Sequence, residues 1–516
     1  MTAFKNIIRK TLAALTAAAS LTAAITLSGC TSGGDSVLRL ALSTSDGSTS
    51  ADRTPSPWLN RSLPVNLMYR SLFISDSTLE KVSPDLALSY TLTDGGTRYA
   101  VELKDGLRWS DGAPLTADDV VFSVNLARES ISLNPTYAAA FSYLSEVYAD
   151  GNCAVFVLKS PYRSFIYTLA QFAVLPEHCL KSADPLTLDA NPFWLEPVTS
   201  GMYAFGSLAA GSYFTLVPNE HYEKTAPKIP EIHVSFVTDV QTAALAGECD
   251  LAVSNSTETV EALTADGRFT PYLTDTLFYK YLIFNIRGTD GKENTAMQNV
   301  AFRRALYEVF DRAAVAGIYP GSTPLTTGDP SDSTPAAFDA QKARDAVAAS
   351  GYDLSRPLRL CYYSSDRTTE DLVSTLVHYL ENAGLKTEVF LSNDGTRDLF
   401  ITREYDIALK GKSAFSVDEW YSEYLSGDSL FSAVFGGTDV FDEAVGNLFQ
   451  AQDSEGRRTA LENLRSLEHE YCMKIPLFTV GTYVFVGERL VLPEGTEFGN
   501  PSYLSDVGFE KWEIRT

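Results

Sequence analysis

The sequence predicts an α/β protein with at least two domains. Its 516 residues exceed the ~250–300 residues at which a single hydrophobic core stops growing, and 45% of them are hydrophobic. Residues 357–391 have the pattern of a strand, a helix and a second strand, which is the unit of a parallel sheet. Residues 90–103 alternate in hydrophobicity around Asp94-Gly95-Gly96, as a β-hairpin does. The chain shows no internal repeat.

The other elements follow from hydrophobic periodicity and from turn residues. A first strand is expected at 37–42, a helix at 63–73, and a strand pair at 142–158 that turns at Asp150-Gly151-Asn152. One helix is expected over 298–316, with Gly317 behind it. In the strand–helix–strand unit, the strands are expected at 357–363 and 385–391, and Gly384 ends a helix whose apolar stripe is Leu372, Val373, Leu376, Val377 and Leu380.

The N-terminus has the features of a bacterial lipoprotein leader. Lys5, Arg9 and Lys10 precede an uncharged run from Thr11 to Leu27, which is the order of a secretory signal. The run ends in Leu27-Ser28-Gly29-Cys30, which resembles a lipobox. We therefore expect 1–29 to be a signal peptide, Cys30 to carry the lipid, and the polar residues 30–36 to be a tether. An ordinary secreted protein with a chance cysteine is the alternative.

Composition excludes several classes of function. The formal net charge of −24, which becomes −27 without the leader, would repel a nucleic acid. The 26 Tyr and 28 Phe argue against disorder. The five His are scattered singly, so no metal site and no cofactor are expected. The five remaining cysteines lack C-x-x-C spacing, which indicates small buried side chains rather than a disulfide framework.

The most specific segment is Val101–Ser123. A strand ends at Leu103, Lys104-Asp105-Gly106 turns the chain, and a second turn follows at Ser110-Asp111-Gly112. Thr116 is placed as the N-cap of a helix whose first turn carries Asp118 and Asp119, where the helix dipole favours negative charge. These features need no catalysis and describe a scaffold.

Taken whole, Val101–Ser123 resembles the signature of the family 5 extracellular solute-binding proteins, the peptide- and nickel-type binding components of ABC importers. Further segments resemble that family in the expected order along the mature chain: Pro197–Phe205, Leu216–Tyr222, Asp239–Asp250, Phe284-Asn285 with Asn299–Leu306, and Ile475–Phe478.

The resemblance implies a two-lobed periplasmic-binding-protein-like fold of type II, with ligand in the cleft and an inserted subdomain in the first lobe. On that template lobe I comprises 37–69, 194–285 and 475–516, the inserted subdomain is 70–193, and lobe II is 286–474. The two crossovers between the lobes, which act as the hinge, are then expected near Asn285 and Lys474.

The resemblance also suggests where ligand binds. Importers of this class commonly hold peptides by backbone hydrogen bonds, and an acidic residue in a Gly-Trp-x-Ala-Asp-Tyr type segment binds the ammonium group. The corresponding stretch here is Tyr405–Ser416. Lys412 stands where Trp is usual, and Phe415 stands where the ammonium-binding Asp is usual.

Residues just after that stretch are candidates to replace the missing charge. Asp418 or Glu419 would bind the ammonium group, with Trp420 and Tyr421 as walls. Phe415, Asp418, Trp420 and Tyr421 are therefore the predicted ligand contacts. The alternative is that 418–425 is only the acidic and aromatic start of a helix.

The predicted function is that of a non-enzymatic, monomeric binding component that delivers a peptide or similar small polar solute to an ABC permease and ATPase complex. It would be anchored on the outer face of the cell membrane through the lipid on Cys30. A peptide-sensing lipoprotein and a secreted hydrolase are the alternatives. A hydrolase would need a nucleophile and a base, and the sequence shows no G-x-S-x-G segment and no H-E-x-x-H segment.

Overall fold

A computed structural model describes most of the chain from residue 36 onward. The described residues are 36–44, 50–76, 81–130, 133, 135–274, 277–289, 292–332, 335–428, 431–436, 438–451, 453–499 and 506–515. The predicted signal peptide, Cys30 and all but the last residue of the tether lie outside them. Across these described ranges, no helix has both the length and the apolar character needed to cross a membrane.

The strands are β1 (Val37–Ser43), β2 (Phe73–Ser75), β3 (Val82–Pro84), β4 (Ala87–Thr93), β5 (Arg98–Leu103), β6 (Leu144–Asp150), β7 (Cys153–Leu158), β8 (Tyr203–Ala209), β9 (Tyr213–Pro218), β10 (Glu231–Val237), β11 (Leu251–Ser254), β12 (Phe269–Thr274), β13 (Phe278–Phe284), β14 (Thr323–Pro324), β15 (Leu358–Tyr362), β16 (Thr387–Leu391), β17 (Ile407–Ser413), β18 (Lys474–Thr479), β19 (Thr482–Gly487), β20 (Leu490–Val491) and β21 (Glu513–Ile514).

The α-helices are α1 (Leu63–Met68), α2 (Ala117–Glu129), α3 (Pro135–Phe141), α4 (Phe165–Gln171), α5 (Glu177–Leu180), α6 (Val240–Leu245), α7 (Thr257–Asp266), α8 (Thr295–Gln298), α9 (Val300–Tyr307), α10 (Arg312–Ala316), α11 (Ala340–Ala349), α12 (Arg367–Asn382), α13 (Asp418–Ser422), α14 (Phe431–Phe435), α15 (Asp439–Gln450) and α16 (Ser454–Tyr471). Short 3-10 turns lie at Asp94–Gly96, Pro185–Ala190, Pro192–Leu195, Pro330–Asp332 and Phe509–Lys511, and a π-helical turn lies at Arg397–Thr402.

Two sheets lie in the ranges predicted for the first lobe and a third lies in the range predicted for the inserted subdomain. The first sheet has the order β1-β10-β9-β8, with β1 parallel to β10 and the other pairs antiparallel. The second has the antiparallel order β11-β19-β12, in which β19 comes from the C-terminal part of the chain. The antiparallel sheet β4-β5-β7-β6 lies entirely within 70–193, the range predicted for the inserted subdomain.

The second lobe is built on the mixed sheet β14-β18-β13-β17-β15-β16. Strands β13 and β18 pair with each other in this sheet, although the predicted boundaries gave nearly all of both to lobe I. Strands β12 and β13 pair in different sheets, and so do β18 and β19. Asn285 and Lys474 lie at the ends of β13 and β18 that are far from these changes of sheet, and the crossovers predicted near them stay a prediction.

Most of the predicted elements are confirmed. The strand–helix–strand unit is β15-α12-β16, whose strands pair in parallel, and Gly384 follows the helix with φ +91°. Both predicted hairpins are present as β4-β5 and β6-β7. The N-cap is also confirmed, since the Asp119 carboxylate accepts the Thr116 backbone N–H at 2.8 Å.

Two predicted helices are wrong in extent. The helix expected over 298–316 is divided into α9 and α10, because the Asp311 side chain accepts the backbone N–H groups of Ala313 and Ala314 and starts a new helix. The helix expected over 63–73 ends at Met68, since Tyr69 is extended. Arg70 is then drawn into an ion pair with the buried Asp85, at 2.9 Å.

Candidate functional site

A cavity of about 970 Å³ lies where the two lobes and the inserted subdomain meet. The inserted subdomain contributes residues near the start of α4, and the first lobe contributes the end of β12 and part of the C-terminal segment. The second lobe contributes a loop at 329–331, the residues before α13, and one face of α16. The lining residues are Arg163, Tyr167, Tyr272, Leu273, Leu277, Asp329, Pro330, Ser331, Ser416, Val417, Ser454, Arg457, Arg458, Leu461, Arg465, Thr496, Glu497 and Phe498.

The charged residues of this lining are mostly arginines. Four arginines line the cavity, against the two acidic residues Asp329 and Glu497. The lining residues themselves are richer in positive than in negative side chains, in a protein whose net charge is −24. Arg457 and Arg458 also pair with carboxylates that lie outside the lining, namely Asp418, Glu455 and Glu462. Three of the four arginines come from α16, where they lie on one side of the helix at i, i+1 and i+8 spacing: Arg457, Arg458 and Arg465.

Arg465 is held in place by acceptors of the 329–331 loop. Its guanidinium is ion-paired with the Asp329 carboxylate and donates to the Ser331 hydroxyl at 3.3 Å. Burial opposes ionisation of Asp329, but hydrogen bonds from Arg465 and Ser331 outweigh it and lower the pKa of this carboxyl. The Arg465 side chain is 21% exposed, so part of its surface faces the cavity.

Arg457 is oriented by Asp418, one of the predicted ligand contacts. The Asp418 carboxylate is 1% exposed, pairs with the Arg457 guanidinium and accepts the Ser164 hydroxyl at 2.8 Å. Ser164 belongs to the inserted subdomain, so this carboxylate also ties the subdomain to the second lobe. Asp418 thus lies behind the cavity wall, and its charge is already balanced by Arg457.

The three predicted aromatic contacts also lie behind the wall. Phe415 is 2% exposed and packs against Tyr137 of the inserted subdomain, with ring centroids 5.3 Å apart. Trp420 and Tyr421 are fully buried, and both donate to the Glu468 carboxylate, at 2.6 and 3.2 Å. Direct ligand contact by these residues stays a prediction, and the geometry favours a supporting role.

Behind the cavity, charged and aromatic side chains pack together with the backbone of Gly328, and we call this group the buried cluster. Its members are Gly328, Tyr281, Lys412, Glu419, Trp420, Tyr421, Glu423, Tyr424, Glu468 and Lys474. Lys474 lies 3.7 Å from the centroid of Trp420 and donates to the Glu423 carboxylate at 2.9 Å. Burial lowers the pKa of Lys474 to about 8. Burial also opposes ionisation of Glu423, but the ammonium groups of Lys412 and Lys474 lower the pKa of that carboxyl to about 2.

Neither residue predicted at a crossover has surroundings that suggest a hinge. Lys474 is fully buried within the buried cluster. Asn285 closes the turn after β13, where its amide donates to the Arg403 and Tyr405 carbonyls at 2.7 and 3.1 Å and its Oδ1 accepts the Gly288 N–H. Both side chains therefore fix structure inside the second lobe.

Sequence reasoning did not find the arginines of the cavity. Arg163 is 294 residues from Arg457, and the carbonyl that its guanidinium contacts belongs to Ala451, at 2.8 Å. The sequence offers one local signal, the adjacent pair Arg457-Arg458. This pair lies on the same helix as the buried apolar residues Leu461 and Leu464. That signal does not distinguish a cavity wall from an ordinary exposed helix face.

The chain belongs to a family of solute-binding proteins. The family described as "Bacterial extracellular solute-binding proteins, family 5 Middle" matches residues 81–442. A Brucella ovis protein that is named for peptide binding in an ABC transporter is 26% identical over 333 residues, which are 61% of this chain and 62% of that protein. Oligopeptide-binding protein AppA of Bacillus subtilis is 27% identical over 307 residues, 56% of this chain and 54% of AppA. The matched region thus spans less than two thirds of either relative.

Solved structures confirm the two-lobed fold of type II. AppA of Bacillus subtilis in complex with a nonapeptide has a TM-score of 0.68 and 18% identity, covering 93% of this chain and 99% of AppA. NikA of Brucella suis in complex with Fe(III)-EDTA has a TM-score of 0.71 and 17% identity, covering 92% of this chain and all of NikA. The fold thus occurs with both peptide and metal-chelate ligands.

Proposed function

We propose that this protein is the substrate-binding component of an ABC importer and that it captures a small peptide or similar polar solute with at least one carboxylate. The observation that carries the proposal is the arginine-lined cavity between the lobes. Its volume of about 970 Å³ falls within the range of about 300–1,000 Å³ that is typical of small-ligand sites. The family and the peptide-binding names of the relatives support the same function.

The charged residues that line the cavity indicate which terminus of a peptide the cavity would bind. Arginine binds carboxylates through paired N–H donors, whereas an ammonium group needs an acidic partner. Asp418 is balanced by Arg457, and Asp329 by Arg465. These pairings occupy two buried carboxylates, whereas each guanidinium has five N–H donors and stays partly exposed, at 27% for Arg457 and 21% for Arg465. The lining, in which Glu497 is an exposed acidic residue, therefore offers more donors for a ligand carboxylate than acceptors for its ammonium group. Tyr167, Tyr272 and Phe498 would cover its apolar parts.

The proposal also covers the oligomeric state of the protein, its attachment to the membrane and its hinge. It would be a monomer, held at the outer face of the membrane by lipid on Cys30, and would deliver its ligand to a permease and ATPase complex. The crossovers after β12 and after β18 would serve as the hinge. At the second crossover a Cβ on Gly481 would lie 2.4 Å from the carbonyl oxygen of Gly321, so this close backbone approach requires glycine.

Calorimetry with peptides of one sequence and different end groups tests the ligand chemistry. Free peptide and its C-amidated form are compared on the wild type and on Arg465→Gln. A charge-assisted hydrogen bond contributes about 1.5–3 kcal/mol, so Arg465→Gln is expected to weaken free peptide roughly 10- to 100-fold. The amidated peptide should bind weakly to both proteins. Equal losses for both peptides would remove the carboxylate role.

Two comparisons complete the test. Arg344→Gln, an arginine of α11 outside the cavity lining, is the control and should leave affinity unchanged. Asp418→Asn separates two roles of this residue. If Asp418 binds the ammonium group, the substitution should reduce the affinity for a free-amine peptide much more than the affinity for its N-acetylated form. If Asp418 orients Arg457, the affinities for both peptides should fall by the same factor. Heat from sugars or metal chelates alone would overturn the peptide proposal.

A cellular measurement separates import from sensing. Deletion of the gene should abolish uptake of a labelled peptide that the purified protein binds. If uptake persists and only a transcriptional response is lost, the protein is a sensor. Peptide products after incubation with the pure protein would instead indicate a hydrolase.

A further inference from the structure

A group of metal-ligating side chains lies on the surface, away from the interlobe cavity. Asp111, His178 and Cys179 each present one ligand atom, and these three atoms lie within 4.8 Å of one another. The Asp111 carboxylate and His178 Nε2 are 2.8 Å apart. None of the three is among the residues that line the cavity. Throughout the described residues, this is the one group of at least three histidine, cysteine or acidic side chains with such spacing.

The turn that carries Asp111 is fixed by its own hydrogen bonds. The Gly112 N–H donates to the Trp109 carbonyl at 2.9 Å, and the Ser110 N–H donates to the Thr199 carbonyl at 2.8 Å. One oxygen of the Asp111 carboxylate accepts the Ala113 N–H at 3.0 Å, which leaves the other oxygen directed at His178. The carboxylate is thus oriented before any ion binds.

The other two ligands lie side by side on α5, which is also anchored. The backbone N–H of Glu177 donates to the Asp119 carboxylate at 2.9 Å, and this bond joins α5 to α2. His178 packs near the buried Trp109, with ring centroids 6.4 Å apart. On the other side of the turn, Gly112 at φ +86° leaves room for His221, whose Nε2 would lie 3.2 Å from a Cβ at that position. Both ligand-bearing segments are therefore held at a fixed separation.

The donor set indicates the class of ion. A carboxylate oxygen, an imidazole nitrogen and a thiolate sulfur suit zinc and similar divalent transition metals, whereas calcium and magnesium prefer oxygen ligands alone. Zinc binds such atoms at about 2.0–2.3 Å in a tetrahedral arrangement, so two of its ligands lie about 3.3–3.8 Å apart, and ligand atoms that lie within 4.8 Å of one another reach that spacing by small side-chain rotations. The exposure of the group leaves a fourth position open to water.

We propose that Asp111, His178 and Cys179 form a surface site for a divalent transition-metal ion of the zinc class. The ion would replace the contact between Asp111 and His178, and the Cys179 proton would pass to solvent. It would join the 109–112 turn to α5 within the inserted subdomain, next to the hydrogen bond between Ser110 and Thr199 that connects this turn to the range predicted for the first lobe. The proposal stands independently of the ligand in the cavity.

Zinc titration of the purified full chain tests the site. The wild type should bind one equivalent, and His178→Ala or Cys179→Ser should weaken that binding by roughly 100-fold or more, since loss of even an outer-shell partner costs 10- to 100-fold. With Co²⁺ in place of zinc, a thiolate-to-metal charge-transfer absorption should appear in the wild type and be absent from Cys179→Ser.

Matched controls use a second histidine and a second cysteine of the chain. His378→Ala and Cys153→Ser change an exposed imidazole on α12 and a half-buried thiol on β7, and both should bind zinc as the wild type does. Circular dichroism confirms that the variants fold. The proposal is overturned if the wild type binds no zinc equivalent, if affinity is unchanged in His178→Ala and Cys179→Ser, or if cobalt shows no thiolate absorption.

Discussion

The cavity wall and the buried cluster behind it contain similar residue types in opposite situations. In the cavity wall, arginines pair with acidic side chains but keep part of their surface exposed, at 21% for Arg465 and 27% for Arg457. In the buried cluster, Lys474 is fully buried and Glu423 is 4% exposed. The partly exposed arginines of the cavity wall can therefore donate hydrogen bonds to a ligand. The charges of the buried cluster bind other members of that cluster and hold the second lobe together.

This difference bears on the acidic and aromatic stretch after Tyr405, whose direct contact with ligand stays a prediction. The stretch has the composition of a ligand site, but most of its polar side chains are hydrogen-bonded within the buried cluster. Glu468 alone accepts four hydrogen bonds, from Gly328 N–H at 2.9 Å, Trp420 at 2.6 Å, Tyr421 at 3.2 Å and Tyr424 at 2.7 Å. A polar group that is saturated in this way has no capacity left for a ligand.

The largest expected effect comes from removing a charge of the buried cluster. Lys474→Met should reduce the free energy of unfolding by about 3–5 kcal/mol, because it leaves the buried Glu423 without one of its ammonium partners. Urea denaturation measures the change. Lys342→Met, whose ammonium group is 64% exposed in its pair with Glu308, is the control and should leave the free energy of unfolding nearly unchanged. Similar values for both would show that the buried cluster is not a distinct structural unit.

A smaller loss of stability is expected from a substitution at Gly328, where the buried cluster is tightly packed. A Cβ on Gly328 would fall 1.8 Å from the Trp420 ring, so Gly328→Ala must displace that side chain. Overpacking of this kind costs about 1–3 kcal/mol. Urea denaturation and the near-ultraviolet circular dichroism of the tryptophans would report it. Gly427→Ala, with no atom within 4 Å of its Cβ, is the control. An unchanged spectrum in Gly328→Ala would contradict the packing described here.

The contribution of Glu419 to the free energy of unfolding is expected to depend on pH. Burial raises the pKa of this carboxyl to about 8, and its buried Oε1 has no hydrogen-bond partner among the described residues. The folded state therefore holds a proton that the unfolded state releases near about pH 4.3, so the stabilisation is complete below that pH and is lost as pH rises through about 8. Glu419→Gln cannot ionise and should gain stability over the wild type between about pH 5 and about pH 9.

Urea denaturation across that range measures the difference between the two proteins. Glu462→Gln, at a carboxylate that is 51% exposed on α16, is the matched control and should show no comparable trend. A Glu419→Gln difference that stays constant with pH would place this carboxylate in a more polar environment than the structure shows.

The smallest effect on stability is expected in the cavity wall. Arg458 is 54% exposed and pairs with Glu455 and Glu462 along α16. Arg458→Gln should therefore leave the free energy of unfolding nearly unchanged. It should still weaken a ligand with several carboxylates, because it removes positive charge from the lining. A loss of stability comparable to that of Lys474→Met would erase the distinction between wall and buried cluster.

Local patterns in the sequence were sufficient for much of the fold. The strand–helix–strand unit, both hairpins and the Thr116 N-cap depend on neighbouring residues, and all are confirmed. One error was local, since the Asp311 cap divides the helix expected over 298–316. Other features depend on distant partners: β13 pairs with β18, 191 residues and more further along the chain, and no local pattern predicts that pairing.

The sequence by itself determined the α/β class, the resemblance to a solute-binding family and the elements whose signals are local. Only the tertiary structure decided which charges face a ligand and which are buried, because a side chain's partners come from segments far apart in the chain. Ser164 and Asp418 are separated by 254 residues, and Asp111 and His178 by 67. Exposure and pairing of charge are properties of that assembly, and they distinguish the cavity wall from the buried cluster.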